Sequence, residues 1–314
     1  MHNHIFEETI GITIEEKVKF INDNRGEHSL RLLLVAAKLT KSSYFEFINR
    51  KVSDQEERKD AISKSIKEIW LDSNEVYGAR KIAAILKLNG TIISERTVGN
   101  YMKDMGVASV YRRKYRPSSA PTTQNTGLVN HIKDIKIERP HHYVATDITY
   151  IHTENEGWVY QITFLDLYTR KVLHYAVSRK MDDDFVSSNT ETVLKKYKDI
   201  KCIHSDRGSQ YTSRRYTQLL IQYSVLGSYS KPGYPYDNAV IESYHAALKI
   251  EALYRHKFKT IQEVNRAVFE YNYGFYNTKR IHQSLGYITP NEAEQYFIIL
   301  KMMPESAVCC YVRH

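Results

Sequence analysis

Hydrophobic residues recur with two different periods along this chain and divide it into two parts. Between residues 14 and 105 they return every three or four positions, the spacing of helices that pack through one face. From about residue 140, apolar runs separated by short turns indicate strands, which then alternate with helices. The pattern predicts an α/β domain with a mixed sheet, preceded by an all-α region.

Four helices are predicted before residue 75, at 14–22, 29–38, 42–49 and 54–72. Ile62, Ile66, Ile69 and Trp70 give the fourth its apolar stripe. The first three fit a helix-turn-helix and fit a plain helical bundle equally well.

A second helix pair, at 77–105, has a more distinctive outer face. Asn89 and Gly90 end its first helix, and Ser94 caps the second. The second helix turns its apolar residues inward, which leaves Arg96, Asn100 and Lys103 outside at i, i+4 and i+7. A helix-turn-helix that places its second helix in a DNA groove has this pattern, although structural helix pairs resemble it.

Charge favours the DNA-binding interpretation of this pair. The whole chain carries 45 Lys and Arg against 36 Asp and Glu, a net charge of +9. Between Val76 and Arg116 the net charge is +7. The candidate DNA contacts there, besides the three on the second helix, are Arg80, Lys81, Arg112, Arg113 and Lys114. The last three begin a linker rich in Pro and Ser, which either follows phosphates or is a solvated tether.

The second part is predicted to contain strands at 143–152, 158–166 and 170–178, a strand ending at Asp206 and a short one at 225–228. Helices are predicted at 183–197, near 214–223, after Asp237, at 260–276 and after Thr289-Pro290.

Three acidic residues occupy distinctive places in this pattern. Asp147 lies on an apolar strand, where an unpaired carboxylate is costly to bury. Asp206 ends a strand before a glycine, and 35 residues separate it from Glu242 on a helix. Asn238, Glu242 and Lys249 share one face of that helix. Taken singly, Asp206 is also a common turn former and Glu242 a common surface residue.

Four local words surround these acids: TDITY, HSDRGSQY, YDNAVIES and YNTKRIHQSLGYITP. In this order and spacing, over roughly residues 70 to 300, the chain resembles the IS3 family of bacterial insertion-sequence transposases, which share the Asp, Asp, Glu pattern of DDE transposases and retroviral integrases. The resemblance implies a ribonuclease-H-like core in which Asp147, Asp206 and Glu242 are catalytic.

The resemblance also implies a chemistry and a set of partners. Three carboxylates are suited to hold two Mg²⁺ ions, for which Mn²⁺ can substitute, while a phosphodiester is attacked. Lys249 is expected to reach a phosphate, and Asn238 to support a metal ligand or DNA. The expected partners are the terminal inverted repeats of an element and target DNA. Because two ends must be joined, at least a dimer is expected on the DNA.

Arg280 and His282, in the fourth word, have two open roles. They contact DNA, or they fix the C-terminal segment onto the catalytic domain.

The predicted domains are 1–53, an N-terminal helical region; 54–110, a helix-turn-helix domain; 111–139, the basic linker; 140–258, the catalytic core; and 259–314, a helical extension. Active enzymes of this family are often frameshift fusions with an upstream leucine zipper, and no sustained heptad repeat occurs here. A first-frame partner or fusion therefore stays open. Three cysteines, no signal peptide and no long apolar run predict a cytoplasmic, nucleoid-associated protein with no membrane contact.

Two competing functions remain beside the transposase. One is a catalytically silent regulator that binds element ends. The other is a ribonuclease-H-like nuclease acting on RNA–DNA hybrids, which the basic helix pair disfavours.

Overall fold

A computed structural model describes residues 13–50, 53–111, 128–231 and 238–303 of the chain. Contacts divide the chain into two compact units, residues 1–64 and 65–314.

Three short helices form the first unit: α1 (Ile14–Asp23), α2 (Leu30–Ala36) and α3 (Lys41–Asn49). They bury a small apolar core around Ile21, Leu33 and Tyr44. The Tyr44 hydroxyl donates to Asn22 Oδ1 at 2.7 Å and so ties α3 to α1. The longer α4 (Asp54–Asp72) runs from this unit into the second.

The second helix pair opens the second unit and has the predicted bounds within two residues. It consists of α5 (Ala79–Leu88) and α6 (Glu95–Asp104), and Ser94 caps α6 by accepting from the Thr97 N–H at 3.0 Å. The chain after α6 is attached to α4, because Trp70 Nε1 donates to the Ala108 carbonyl at 3.1 Å.

A five-stranded mixed sheet forms the centre of the second unit. Its strands are β1 (Tyr143–Thr153), β2 (Gly157–Asp166), β3 (Val172–Ser178), β4 (Cys202–Ser205) and β5 (Leu226–Tyr229). Their order is β3-β2-β1-β4-β5; the first three are antiparallel, whereas β4 runs parallel to β1 and to β5. This confirms the predicted α/β, ribonuclease-H-like mixed sheet.

Helices cover both faces of this sheet. One face, with Val144, Ile162 and Phe164, packs against α7 (Asp183–Lys196) and α8 (Arg214–Gln222). On the other face, residues of odd number in β1 and β2 meet α9 (Ala239–Glu251), as the contacts of His245 with Asp147 and Thr163 show. The face against α9 therefore carries the acid of β1.

The predicted helix 260–276 is wrong in its second half. An α-helix, α10, ends at Phe269 (Ile261–Phe269), and Glu270–Tyr276 forms a π-helical segment. The Asn277 N–H donates to the Asn272 carbonyl five residues back at 3.0 Å. The wider turn brings Asn272 inside, where its Oδ1 accepts from the Tyr244 hydroxyl at 2.7 Å. A period of 3.6 residues cannot reveal this turn, and such turns are frequent near functional sites.

The predicted third strand starts two residues too early. Arg170 has a φ of 63°, and its N–H donates to the Asp166 carbonyl, so the chain is still turning there. Asp166 Oδ2 also accepts from the Thr169 N–H at 2.8 Å. The strand therefore begins only at Val172.

A carboxylate of the last helix, α11 (Pro290–Met302), contacts residues just before β1 and β3. Glu294 Oε1 lies 2.7 Å from His141 Nε2, and Oε2 accepts from Lys171 Nζ at 2.6 Å. The hydrogen bond from His141 and the contacts of Lys171 lower the pKa of Glu294 to about 2, against the opposing effect of burial.

We expect this carboxylate to make stability depend on acid. Because the folded pKa lies below the ordinary value of 4.5, the contribution is complete above about pH 4.5 and is lost as the pH falls toward 2. Glu294→Gln should therefore lower the urea midpoint clearly at pH 7 and much less at pH 3. Glu138→Gln, in an exposed pair with Lys136, is the control and should change neither midpoint. An equal loss at both pH values for Glu294→Gln would contradict the prediction.

Candidate active site

Asp147 lies in the middle of β1, with its side chain mostly buried against α9. Its Oδ2 is 3.2 Å from Nδ1 of the buried His245, whose Nε2 is 3.3 Å from Thr163 Oγ1. The imidazole therefore orients the Asp147 carboxylate from the buried side of the site. Its own orientation is fixed by the contact with Thr163 of β2.

Asp206 follows β4 directly, at the end where this strand runs beside β1. Its Oδ1 accepts from the Gly208 N–H at 2.9 Å, and a Cβ at position 208 would lie 3.1 Å from the same oxygen. Although the residue reaches solvent, protein atoms crowd the carboxylate; this burial and the charge of Asp147 raise the pKa of Asp206, against the hydrogen bond from Gly208.

Glu242 lies in the first turn of α9, and its side chain is exposed. Partial burial and the negative charge of Asp147 raise the pKa of Glu242, while His245 acts in the opposite direction. Asp147 thus repels both of the other acids. Two separate elements thus bring Asp206 and Glu242 into the electrostatic field of Asp147.

The three acids supply the kind of donor that a divalent cation prefers, although their side chains do not meet around one point. Within the ranges that the structure describes, no three His, Cys, Asp or Glu side chains converge closely enough to hold an ion. Across the same residues no Lys or Arg forms an ion pair with any of the three acids. Carboxylates that repel one another and have no cationic partner favour a cation, and oxygen is the donor that Mg²⁺ and Mn²⁺ prefer.

Two further residues of α9 flank this site. The Lys249 ammonium is half-buried, and burial lowers the pKa of Lys249, against the attraction of Asp147. Asn238, at the start of α9, is buried, and its Oδ1 finds no hydrogen-bond partner among the described residues. Asp237, predicted as the helix cap, lies outside the described residues, and Asn238 occupies the cap position.

His245 is the residue of this site that the sequence did not reveal. It lies three positions after Glu242 on α9, and it is the buried side of the helix that brings it to Asp147. A histidine on an apolar face gives no signal unless the strand opposite is known.

We expect His245→Ala to lower the rate of DNA strand cleavage about 10- to 100-fold, the range for residues that orient a metal ligand. His245→Asn places an amide N–H where Nδ1 lies and should recover most of the rate. Single-turnover cleavage on an excess of enzyme measures both. If Asn rescues no better than Ala, or if DNA binding falls in parallel, His245 does not act by orienting Asp147.

The predicted DNA-contacting face of α6 is open to solvent. Arg96, Asn100 and Lys103 are exposed, while Val98 and Met102 are buried against α5. Arg80 is exposed too and pairs with Glu95 at 3.3 Å. These four positions are accessible to DNA.

Lys81 faces inward instead. Its Nζ lies over the Tyr77 ring, 4.8 Å from the centroid. Burial and the charge of Arg280 lower the pKa of Lys81 to about 7, although Glu251 acts against them. The side chain is therefore used within the second unit. Arg112, Arg113 and Lys114 lie outside the described residues.

Arg280 is engaged by a buried acid. Its guanidinium donates to both carboxylate oxygens of Glu251, at 2.6 and 2.8 Å, and Glu251 also accepts from the hydroxyls of Tyr111 and Tyr271. We call these four residues the Glu251 cluster. Burial acts to raise the pKa of Glu251, yet Arg280 and the two hydroxyls together hold it below its usual value. The side chain of Arg280 thus fixes the C-terminal segment to the end of α9.

His282 lies beside this cluster, half-buried, with its ring 4.9 Å from that of Tyr276. Burial, followed by the charges of Arg280, Lys81 and Arg170, lowers its pKa to about 2, so the ring is neutral. A neutral, half-buried imidazole is a poor partner for a phosphate. The Glu251 cluster was not predicted either, because Glu251 is two residues beyond Lys249 on an ordinary charged helix end.

The fold and the candidate site agree with the protein families that the chain resembles in sequence. Residues 137–235 and 223–290 match two models described as integrase core domain, and residues 57–115 match one described as HTH-like domain. The transposase for insertion sequence element IS904 from Lactococcus lactis is 33% identical over 254 residues, 79% of this chain and 99% of that relative. The chain belongs to the IS3 family of insertion-sequence transposases.

Other IS3-family relatives cover more of the chain. Transposase InsF for insertion sequence IS3A from Escherichia coli is 27% identical over 287 residues, 88% of this chain and 98% of that protein. Among solved structures, the catalytic core domain of BIV integrase is 20% identical, with a TM-score of 0.40, over 52% of this chain and 99% of that one. In the described part of this IS3-family chain, no helix is long and apolar enough to cross a membrane.

Proposed function

We propose that this IS3-family protein is a DDE-type polynucleotidyl transferase that binds the ends of an insertion sequence and cleaves and rejoins DNA strands there. The observation that supports it most is that Asp147, Asp206 and Glu242 come from a strand, a strand end and a helix and lie close enough for burial and the charge of Asp147 to raise the pKa of the other two. Among the described residues no Lys or Arg forms an ion pair with these carboxylates, which suits them to divalent metal ions.

The three acids would hold two Mg²⁺ or Mn²⁺ ions. Such ions, when bound, activate an attacking oxygen and stabilise a leaving one at a phosphodiester. The chain's own residues prepare the site: His245 fixes the orientation of Asp147, and the Gly208 N–H fixes Asp206. Lys249, two turns after Glu242, would bind a phosphate of the DNA backbone beside the scissile bond.

Duplex DNA is the partner that the rest of the chain favours. The exposed Arg96, Asn100 and Lys103 present two cations and an amide on one helix face, which suits groove and phosphate contacts. The proposed DNA partners are the terminal inverted repeats and the target. Because two ends must be brought together, we propose that at least two copies assemble on DNA.

Labelled element ends incubated with the purified chain and Mg²⁺ or Mn²⁺ test this function. We expect metal-dependent nicking and strand-transfer products, none of which form in EDTA. Specific end binding without any metal-dependent product would instead identify a silent end-binding regulator. Cleavage of an RNA–DNA hybrid in preference to duplex ends would identify a ribonuclease-H-like nuclease.

A further inference from the structure

A groove beside the candidate site combines exposed aromatic rings with free lysines. The cavity has a volume of about 580 Å³, and its lining includes Tyr150, His152, Trp158, Lys249, Tyr254 and Lys257. Tyr150, Trp158 and Tyr254 are 50%, 57% and 70% exposed as whole residues. Single exposed aromatic residues are ordinary, but three rings in one groove are not.

The groove follows the free edge of β1. On that side β1 pairs with β4 only from Tyr143 to Ala145, so no strand of the described chain covers the edge beyond that point. Tyr150 and His152 come from β1 itself, and Trp158 stands across from His152 on β2, with their rings 5.2 Å apart. Asp206 follows β4 at the place where the free edge begins. Lys249, which lines the groove, is close enough to Asp147 to feel its charge, so the groove adjoins the candidate site.

Hydrogen bonding and packing order the segments that line the groove. The turn between β1 and β2 is bound to the segment after α9, because the Glu154 N–H donates to the Phe258 carbonyl at 2.8 Å. Ile151, Leu253 and Phe258 are buried beneath the rings. A platform that is already ordered loses little entropy when a flat ligand stacks on it.

The charge of the groove selects an anionic polymer. Lys249 and Lys257 line it against one acid, Glu154, and neither lysine forms an ion pair with any residue in the described ranges. Duplex DNA presents phosphates and base edges but hides the faces of its bases. Aromatic faces next to cations instead suit nucleotides that are not paired, whose bases stack while the backbone contacts the lysines.

We propose that this groove binds unpaired nucleotides of the DNA strand next to the scissile phosphate, with bases stacked on Trp158 and Tyr254 and the backbone held by Lys249 and Lys257. The inference rests on the proposed function, since it names the part of the DNA end that enters the site. It adds a substrate requirement: the end must open, or be single-stranded, over the nucleotides that occupy the groove.

Binding in EDTA tests this without any catalysis. The full chain is titrated with a blunt duplex end and with the same end carrying four unpaired nucleotides labelled with 2-aminopurine. We expect the unpaired end to bind about 10-fold more tightly and its fluorescence to be quenched, and we expect Trp158→Ala and Tyr254→Ala each to remove about 10-fold of that preference. Tyr254→Phe, which keeps a ring, should retain it. Tyr296→Ala, at an exposed tyrosine of α11 outside the groove, should change nothing.

Three results would overturn the inference. If Trp158→Ala and Tyr254→Ala weaken the binding of blunt and unpaired ends equally, the groove is only a basic patch. Unchanged binding by the alanine variants would show that the rings contact no base. Self-association that Trp158→Ala abolishes, with no change in DNA preference, would assign the free edge of β1 to a second copy of the chain. A preference for unpaired ends in a protein that yields no strand-transfer product would leave this inference standing and remove the proposed function.

Discussion

Asp206→Asn is expected to lower metal-dependent strand cleavage by at least about 10³-fold, on the order of 4 kcal/mol of transition-state stabilisation. The amide keeps the shape of the carboxylate and its oxygen can still accept from the Gly208 N–H, but it cannot supply a negative charge to a cation. Glu242→Gln and Asp147→Asn should show losses of the same order. Single-turnover cleavage of a labelled element end measures the effect.

Folding stability separates a lost function from a damaged fold in this experiment. The pKa of Asp206 is raised, first by burial and then by Asp147, so its ionised form is less favourable in the folded protein than in the unfolded chain. Removing the charge should therefore leave the thermal midpoint unchanged or raise it. Asp199→Asn, an exposed acid seven residues earlier in the chain, is the matched control and should keep full activity. Cleavage by Asp206→Asn at the control's rate would end the assignment of this residue.

Arg280→Ala is expected to destabilise the second unit by about 3–5 kcal/mol, because it leaves Glu251 as an uncompensated buried charge. Equilibrium urea unfolding at pH 7 measures this loss. As the pH falls below the ordinary glutamate pKa of 4.5, wild type should lose the stability that the ionised Glu251 contributes, since its folded pKa is lowered. The difference in the free energy of unfolding between Arg280→Ala and wild type should therefore become smaller in acid.

The chain offers a matched exposed pair as the control. Arg255 Nη2 lies 2.9 Å from Glu75 Oε2, and both side chains are partly exposed, so Arg255→Ala should cost at most about 1 kcal/mol. A double variant, Glu251→Leu with Arg280→Leu, should recover part of the loss because no unpaired charge remains. If Arg280→Ala costs no more than Arg255→Ala, the Glu251 cluster does not hold the second unit together.

The local pattern of apolar residues was sufficient to predict the strands of the sheet. It was not sufficient to predict the π-helical turn in the C-terminal segment. Alternating and continuous apolar runs located all five strands because each strand buries its own side chains. The π-helical segment at Glu270–Tyr276 was missed because its register depends on Asn272 reaching Tyr244, 28 residues away. Pairings between distant residues leave no trace in the spacing of nearby ones.

The residues of the candidate site also differ in whether the sequence alone could reveal them. Asp147, Asp206 and Glu242 could be proposed from the sequence because a short motif surrounds each of them, and their catalytic role stays a prediction. His245 and Glu251 could not, since what each does is decided by the partner it meets: Asp147 from the strand opposite, and Arg280 from a segment 29 residues later. Arg280 and Lys81 show the converse, because basic residues of a DNA-binding family are here used inside the protein.

Tyr77, just before α5, is inserted into the turn after the π-helical segment. Its hydroxyl donates to the Lys279 carbonyl at 2.8 Å and accepts from the Ile281 N–H at 2.9 Å, while Tyr111, beyond α6, reaches the end of α9. These hydrogen bonds thus fix the segments on either side of the α5–α6 pair to the C-terminal segment and to α9, the helix that carries Glu242. If α6 binds the element end, as we propose, the distance between the recognised sequence and the cleaved bond is fixed by the protein. We then expect that moving that sequence by a single base pair, about 3.4 Å along the duplex, misplaces the phosphate.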